Sequence, residues 1–192
     1  MIRSGFLRRQ DGAAAVEFAL VSLIFVSMML GVIDMARYAW EINSAKAAAR
    51  AGARLAIVIP PVVSQLVNFD AVTSCSLGGG SAIPQTCNPG STDYSCTSSA
   101  CTAGGTLVSA NFTPIVTQMQ QYYGRLQASN VRVQYSQRGL GVAGSPMGSD
   151  IEPLVTVSIT GLTFQPIALQ VFGVTLPIPT VETTLVGEDM TL

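Results

Sequence analysis

"GAAAVEFALVSLIFVSMMLGVIDMARYAWEINSAKAAARAGARLAIVIPP", residues 12–61, decides the fold. From Phe18 to Ile33 it carries no charge. With Ala13–Glu17 in front, the span Ala13–Ile33 is roughly 31 Å of helix at about 1.5 Å per residue, close to the ~30 Å thickness of bilayer hydrocarbon. Beyond Ile33 the segment turns alanine-rich and has no proline until Pro60-Pro61. Alanine and arginine are strong helix formers. Asp34 and Arg37 are spaced i,i+3 and Arg37 and Glu41 i,i+4, so each pair falls on one helix face. Ile42, Ala45, Ala49, Ala53 and Ala56 form a narrow stripe of small and apolar residues at helical spacing. One continuous helix over 13–58 is expected. Its first half suits lipid; its second presents the stripe to the chain's own head or to a soluble partner. Gly31 and Gly52 weaken it locally, and Pro60-Pro61 end it.

Arg3, Arg8 and Arg9 precede the span. An excess of basic residues marks the cytoplasmic side, so the N-terminus is expected there, with Arg8 and Arg9 at the membrane interface. Tyr38 and Trp40 suit the aromatic belt at the opposite face. Arg37, Arg50 and Arg54 follow the span and weigh the other way. A cleaved secretory signal would have a shorter apolar core and a small-residue site directly after it; neither is seen. Glu17 is the anomaly. A charge within an apolar span costs about 2.5–3.5 kcal/mol on insertion scales, which makes it a functional candidate. The plain alternative is a side chain that snorkels to the nearby cytoplasmic interface.

The rest of the composition narrows the classes. The 192 residues fit one domain plus an anchor. Only 11% are charged, against about 25% in ordinary soluble domains, and the net charge of -1 gives no field for a nucleic-acid partner. Seven basic and four acidic residues lie up to residue 55, but three basic and seven acidic beyond it. Histidine is absent, which removes the commonest general base and metal ligand. The single lysine, Lys46, lies in the helix, away from any candidate nucleophile. No enzyme, cofactor or metal site is expected. Cys75, Cys87, Cys96 and Cys101 share one Gly/Ser/Thr-rich stretch without a CxxC pair. Four thiolates suffice for zinc in principle; disulfides in an oxidising compartment are the expectation. Three pairings are open, and Cys75–Cys87 with Cys96–Cys101 closes the shortest loops. Asp150 and Glu152 lie close together, but nothing has the spacing of a calcium loop.

The leader, the glycine and the glutamate together resemble the processing site of type IV prepilins. That resemblance implies a membrane aspartyl peptidase cutting on the cytoplasmic side after Gly12, leaving Ala13 as the new N-terminus and Glu17 as its fifth residue. In a filament, Glu17 would offset the amino group of a neighbouring subunit, with Phe18 beside it; a buried charge left unpaired there would be costly. The match narrows to the TadE-like family of tight-adherence (Tad/Flp) pilus systems. The opening "GAAAVEFALV" resembles that family's, as do the element Gly31-Val32-Ile33-Asp34-Met35-Ala36-Arg37 and the element Ala48-Ala49-Arg50-Ala51-Gly52-Ala53-Arg54. The family usually has glutamate where this chain has Ala51, and the cysteine-rich insert is not general in it. The resemblance implies a minor-pseudopilin-like assembly protein, not an enzyme. Its partners would be the membrane, a prepilin peptidase, other pilins or pseudopilins and the pilus assembly machinery.

Beyond the helix, Val62–Phe69 is a short helix or strand, and residues 74–105 have loop composition. Thr113-Pro114 reads as the N-cap and first residue of a helix over 114–128, with Ile115, Met119, Tyr122 and Leu126 inward. Residues 130–137, 154–161 and 180–187 alternate as strands, with "GLGVAG" as a hairpin loop. Pro166, Pro177 and Pro179 exclude a second span over 162–179. The fold class is α+β and pilin-like: a leader at 1–12, a transmembrane and extended helix at 13–58, and a periplasmic head at 59–192 carrying a small antiparallel sheet. Three functions compete. An assembly protein needs Gly12 and Glu17. A membrane-tethered periplasmic binding domain tolerates changes at both. A hydrolase lacks a nucleophile motif.

Overall fold

The alanine-rich run folds as expected. In the computed structural model, which describes residues 11–67, 93–136 and 153–187, α1 is one unbroken helix, Asp11–Ala56 (46 residues). Turns through Ile59 carry the chain off its end, with Ile57 and Ile59 amides bonding the Ala53 and Leu55 carbonyls, and Pro60-Pro61 prevent continuation. Residues up to Trp40 group with Thr163–Leu176; those from Glu41 to Leu162 group with the stretch from Pro177 onward.

The first group holds the apolar part of α1. Its side chains from Ala13 to Ile33 are exposed apart from Ser22, Leu30 and Gly31, which are half-buried. The hydroxyls of Ser22 and Ser27 donate to the carbonyls of Ala19 and Ile24 at 2.9 and 2.8 Å, so neither is left unsatisfied in an apolar surrounding. The arm at 163–176 contains β4 (Thr163–Phe164), paired with β5 (Leu176–Pro177). A 3-10 turn at Gln170–Phe172 lies between them and ends on Gly173, whose φ of 67° suits glycine.

The second group is built around a four-stranded antiparallel sheet ordered β1-β2-β3-β6. Its strands are β1 (Tyr94–Cys96), β2 (Val131–Ser136), β3 (Leu154–Ile159) and β6 (Val181–Val186). The register pairs Val133 with Val157 and Val157 with Thr183. Val131, Val133, Tyr135, Val155, Val157 and Ile159 point inward as their alternation predicts. The strand β1 was not foreseen; it pairs Tyr94 with Tyr135 and Cys96 with Val133. Of Val62–Phe69, the described part, up to Val67, forms α2 (Ser64–Val67) and a bridge from Val63 to Leu107.

The helix expected over 114–128 is shifted. It is α3, Ser109–Tyr122, with Pro114 inside it. Its start is set by tertiary ties: Val108 N–H donates to the Val62 carbonyl at 2.7 Å, Asn111 Nδ2 donates to the Pro61 carbonyl at 2.8 Å, and Phe112 is buried. Gly124 follows its end. Tyr122, expected inward, is 52% exposed, and Tyr123 takes the buried place. On α1, Gly52 packs against Met119, and Ala45, Ala48, Ala49, Ala53 and Ala56 beside it are all buried. The "GLGVAG" segment, Asp150 and Glu152 lie outside the described residues.

Candidate functional site

The residues singled out for processing sit on the first turns of α1. Gly12, Ala13, Glu17 and Phe18 are all exposed. A Cβ on Gly12 would meet nothing within 4 Å, so no packing among the described residues requires glycine there. Ala13 and Glu17, four apart, share one helix face. Arg8 and Arg9 lie outside the described residues.

The element Gly31–Arg37 has a clear structural use. Asp34 is 7% exposed. Its Oδ1 accepts from the Ile167 amide at 2.8 Å and its Oδ2 from the Ala168 amide at 2.9 Å. Arg37 Nη1 donates to Oδ1 at 3.2 Å, the i,i+3 pair read from the sequence. The Ala168 amide, with the Ile167 amide and the Arg37 guanidinium, holds the Asp34 carboxyl below its ordinary value against the opposing effect of burial. Arg37 also stacks over Phe164, its Cζ 5.3 Å from the ring centroid, and Tyr38 meets the same ring edge-on at 5.4 Å. Tyr38 therefore has a partner in the protein beyond the interfacial role expected of it, while Trp40 is exposed.

The other expected pair, Arg37 with Glu41, gives way to a long-range one. Glu41 is 4% exposed. Its Oε1 accepts from Arg125 Nη1 at 2.6 Å and its Oε2 from the Tyr123 hydroxyl at 3.3 Å. Burial, then the nearby Glu41 charge, pushes the Tyr123 hydroxyl up. Spacing on α1 alone gives no hint of a partner more than 80 residues away.

The element Ala48–Arg54 divides by face. Arg50 and Arg54 are exposed and, with Leu55, Val58, Gln118 and Tyr122, line an open groove. Gly52 faces inward, where a Cβ would lie 2.6 Å from Met119 Sδ, 2.7 Å from its Cγ and 3.4 Å from Val157 Cγ1. That glycine is set by close approach. Ala51, where the family usually has glutamate, is half-buried.

Cys96 and Cys101 form a disulfide, and Thr102 N–H donates to the Ser95 carbonyl at 2.9 Å beside it. Cys75 and Cys87 lie outside the described residues. Among the described residues no cluster of three or more His, Cys, Asp or Glu is placed to hold a metal.

No curated protein and no solved structure shows a significant match to the chain. A family model described as TadE-like protein matches residues 12–54. The matched segment starts at Gly12 and runs through both inner elements, all on α1. Over this helix, from Gly12 to Arg54, the chain is similar to TadE-like proteins.

Proposed function

We propose that the chain is a minor-pseudopilin-like assembly protein of a Tad (Flp) pilus and not an enzyme. The TadE-like match carries this reading, because it ties the chain to Tad pilus assembly and coincides with a helix of membrane-spanning length. In this reading α1 crosses the inner membrane once. Arg3, Arg8 and Arg9 hold the N-terminus in the cytoplasm. The head lies in the periplasm, and the Cys96–Cys101 disulfide supports an oxidising compartment. A prepilin peptidase cuts after Gly12, whose exposed, side-chain-free position suits a cleavage site. Glu17 then meets the new amino group of a neighbouring pilin or pseudopilin, with Phe18 packing beside it.

The test is the intact mass and N-terminal sequence of the protein from its native membrane. A chain beginning at Ala13 is expected, and Gly12→Phe should retain the leader. A chain beginning at Met1 in the presence of the peptidase would overturn processing and favour the tethered periplasmic binding domain.

A further inference from the structure

The arm at 163–176 runs back along α1 toward the apolar span. Phe164 lies at the level of Arg37 and Tyr38. Only three residues later, the Ile167 and Ala168 amides bond to Asp34, about one helical turn nearer the span. Exposure along α1 follows the same line. Leu30, Asp34, Arg37 and Tyr38, at spacings of three and four, are buried or half-buried, while Leu23 to Met29 are exposed. The remainder of the arm is apolar and open: Ile167, Leu169, Phe172, Val174 and Leu176 are exposed, Phe172 by 76%. From Pro153 to Val181 there is no Asp, Glu, Lys or Arg.

We propose that this arm is a membrane-contacting element. Its exposed side chains enter the boundary between headgroups and acyl chains in the leaflet at the C-terminal end of the span, and Asp34 clamps it there. The proposal rests on α1 being a membrane span. Continuity names the occupant: the exposed Ile167 of the arm is tied through its amide to Asp34, the residue that follows Ile33, the last of the uncharged apolar run of the helix. Backbone polar groups near hydrocarbon need partners inside the protein, and Asp34 supplies them for two amides of the arm. Arg37 reaches the headgroup level over Phe164. A short apolar turn without charge, held against the span, fixes the depth and rotation of the helix.

The full chain is reconstituted in phosphatidylcholine vesicles containing phosphatidylcholine brominated at shallow or deep acyl positions. Trp40→Phe removes the single native tryptophan; Phe172→Trp reports on the arm and Leu23→Trp on the span. Phe172→Trp should emit to the blue and be quenched most by shallow bromines, at every protein-to-lipid ratio. Adding Asp34→Ala should expose it to aqueous iodide and leave Leu23→Trp unchanged. Water-like, unquenched emission from Phe172→Trp beside a quenched Leu23→Trp would overturn the arm's role and leave the span standing. A blue shift lost on dilution with lipid would mean that a second copy covers the arm, which also overturns it. Absence of quenching at both positions would remove the span itself.

Discussion

Asp34 and Glu41 are the two buried carboxylates of α1 among the described residues, and each reaches a distant part of the chain. Glu41 binds the Tyr123 hydroxyl in a buried setting and an Arg125 side chain that is 60% exposed. Exposure limits the ion pair to about 0–1 kcal/mol, so most of the loss in Glu41→Ala should come from the orphaned hydroxyl. We expect about 1–3 kcal/mol of destabilisation by denaturant unfolding, and Arg125→Ala should cost less. Tyr135 supplies a second residue-level expectation. Its buried hydroxyl accepts from the Val62 amide at 3.0 Å, and burial pushes its titration far up. The folded state holds that proton more tightly than the unfolded chain. Its contribution is therefore complete below about pH 10 and is lost as pH rises beyond. Tyr135→Phe should lower stability near neutral pH by about 1–3 kcal/mol, through the unpaired amide, and flatten the alkaline fall in melting temperature.

At the scale of elements, α1 meets α3 and β3 through a glycine. Gly52→Val should overpack that contact and cost about 1–3 kcal/mol, read as a lower midpoint in denaturant. Gly31→Ala has nothing within 4 Å of the new methyl and should be neutral or stabilising, since alanine is the better helix former by roughly 0.5–1 kcal/mol. The Cys96–Cys101 bridge spans a sequence separation of 5. Such a short loop predicts about 2 kcal/mol lost in the Cys96→Ser, Cys101→Ser double variant by the chain-entropy model. Periodicity made α1 and three strands legible, because one side of each is covered and the pattern is regular. The edge strand β1 was not: three residues within a Ser/Thr-rich stretch carry no alternation, and their pairing comes from β2 and the disulfide. The start of α3 was misplaced because Thr113-Pro114 has the chemistry of a cap, while ties to Pro61 and Val62 extend the helix past it.

For the whole molecule, the candidate site was legible where it depends on a linear pattern, from Gly12 through the inner elements of α1. Tertiary roles were hidden. Asp34 read as half of a helical ion pair, yet its principal partners are backbone amides beyond residue 160. The arm, with Pro166 in it, carries no periodicity from which to place it. The assembly reading makes its own demand on the intact system. Glu17→Ala should leave membrane insertion unchanged while reducing surface pili, counted by electron microscopy; normal piliation would remove the role assigned to that carboxylate.

The helix side of the head's core is made of methyl groups and one hydrogen: Ala45, Ala48, Ala49, Gly52, Ala53 and Ala56. The sheet side is made of Tyr135, Ile159 and valines. The two sides therefore fail in opposite directions under random mutation. Almost any replacement of a buried alanine adds atoms where there is no room, while the strands are harmed chiefly by losing them. A saturation library should show the buried face of the head's part of α1 tolerating only the smallest residues and β2 and β3 only ones of similar bulk, an asymmetry that would betray the packing direction of this helix to anyone holding the library alone.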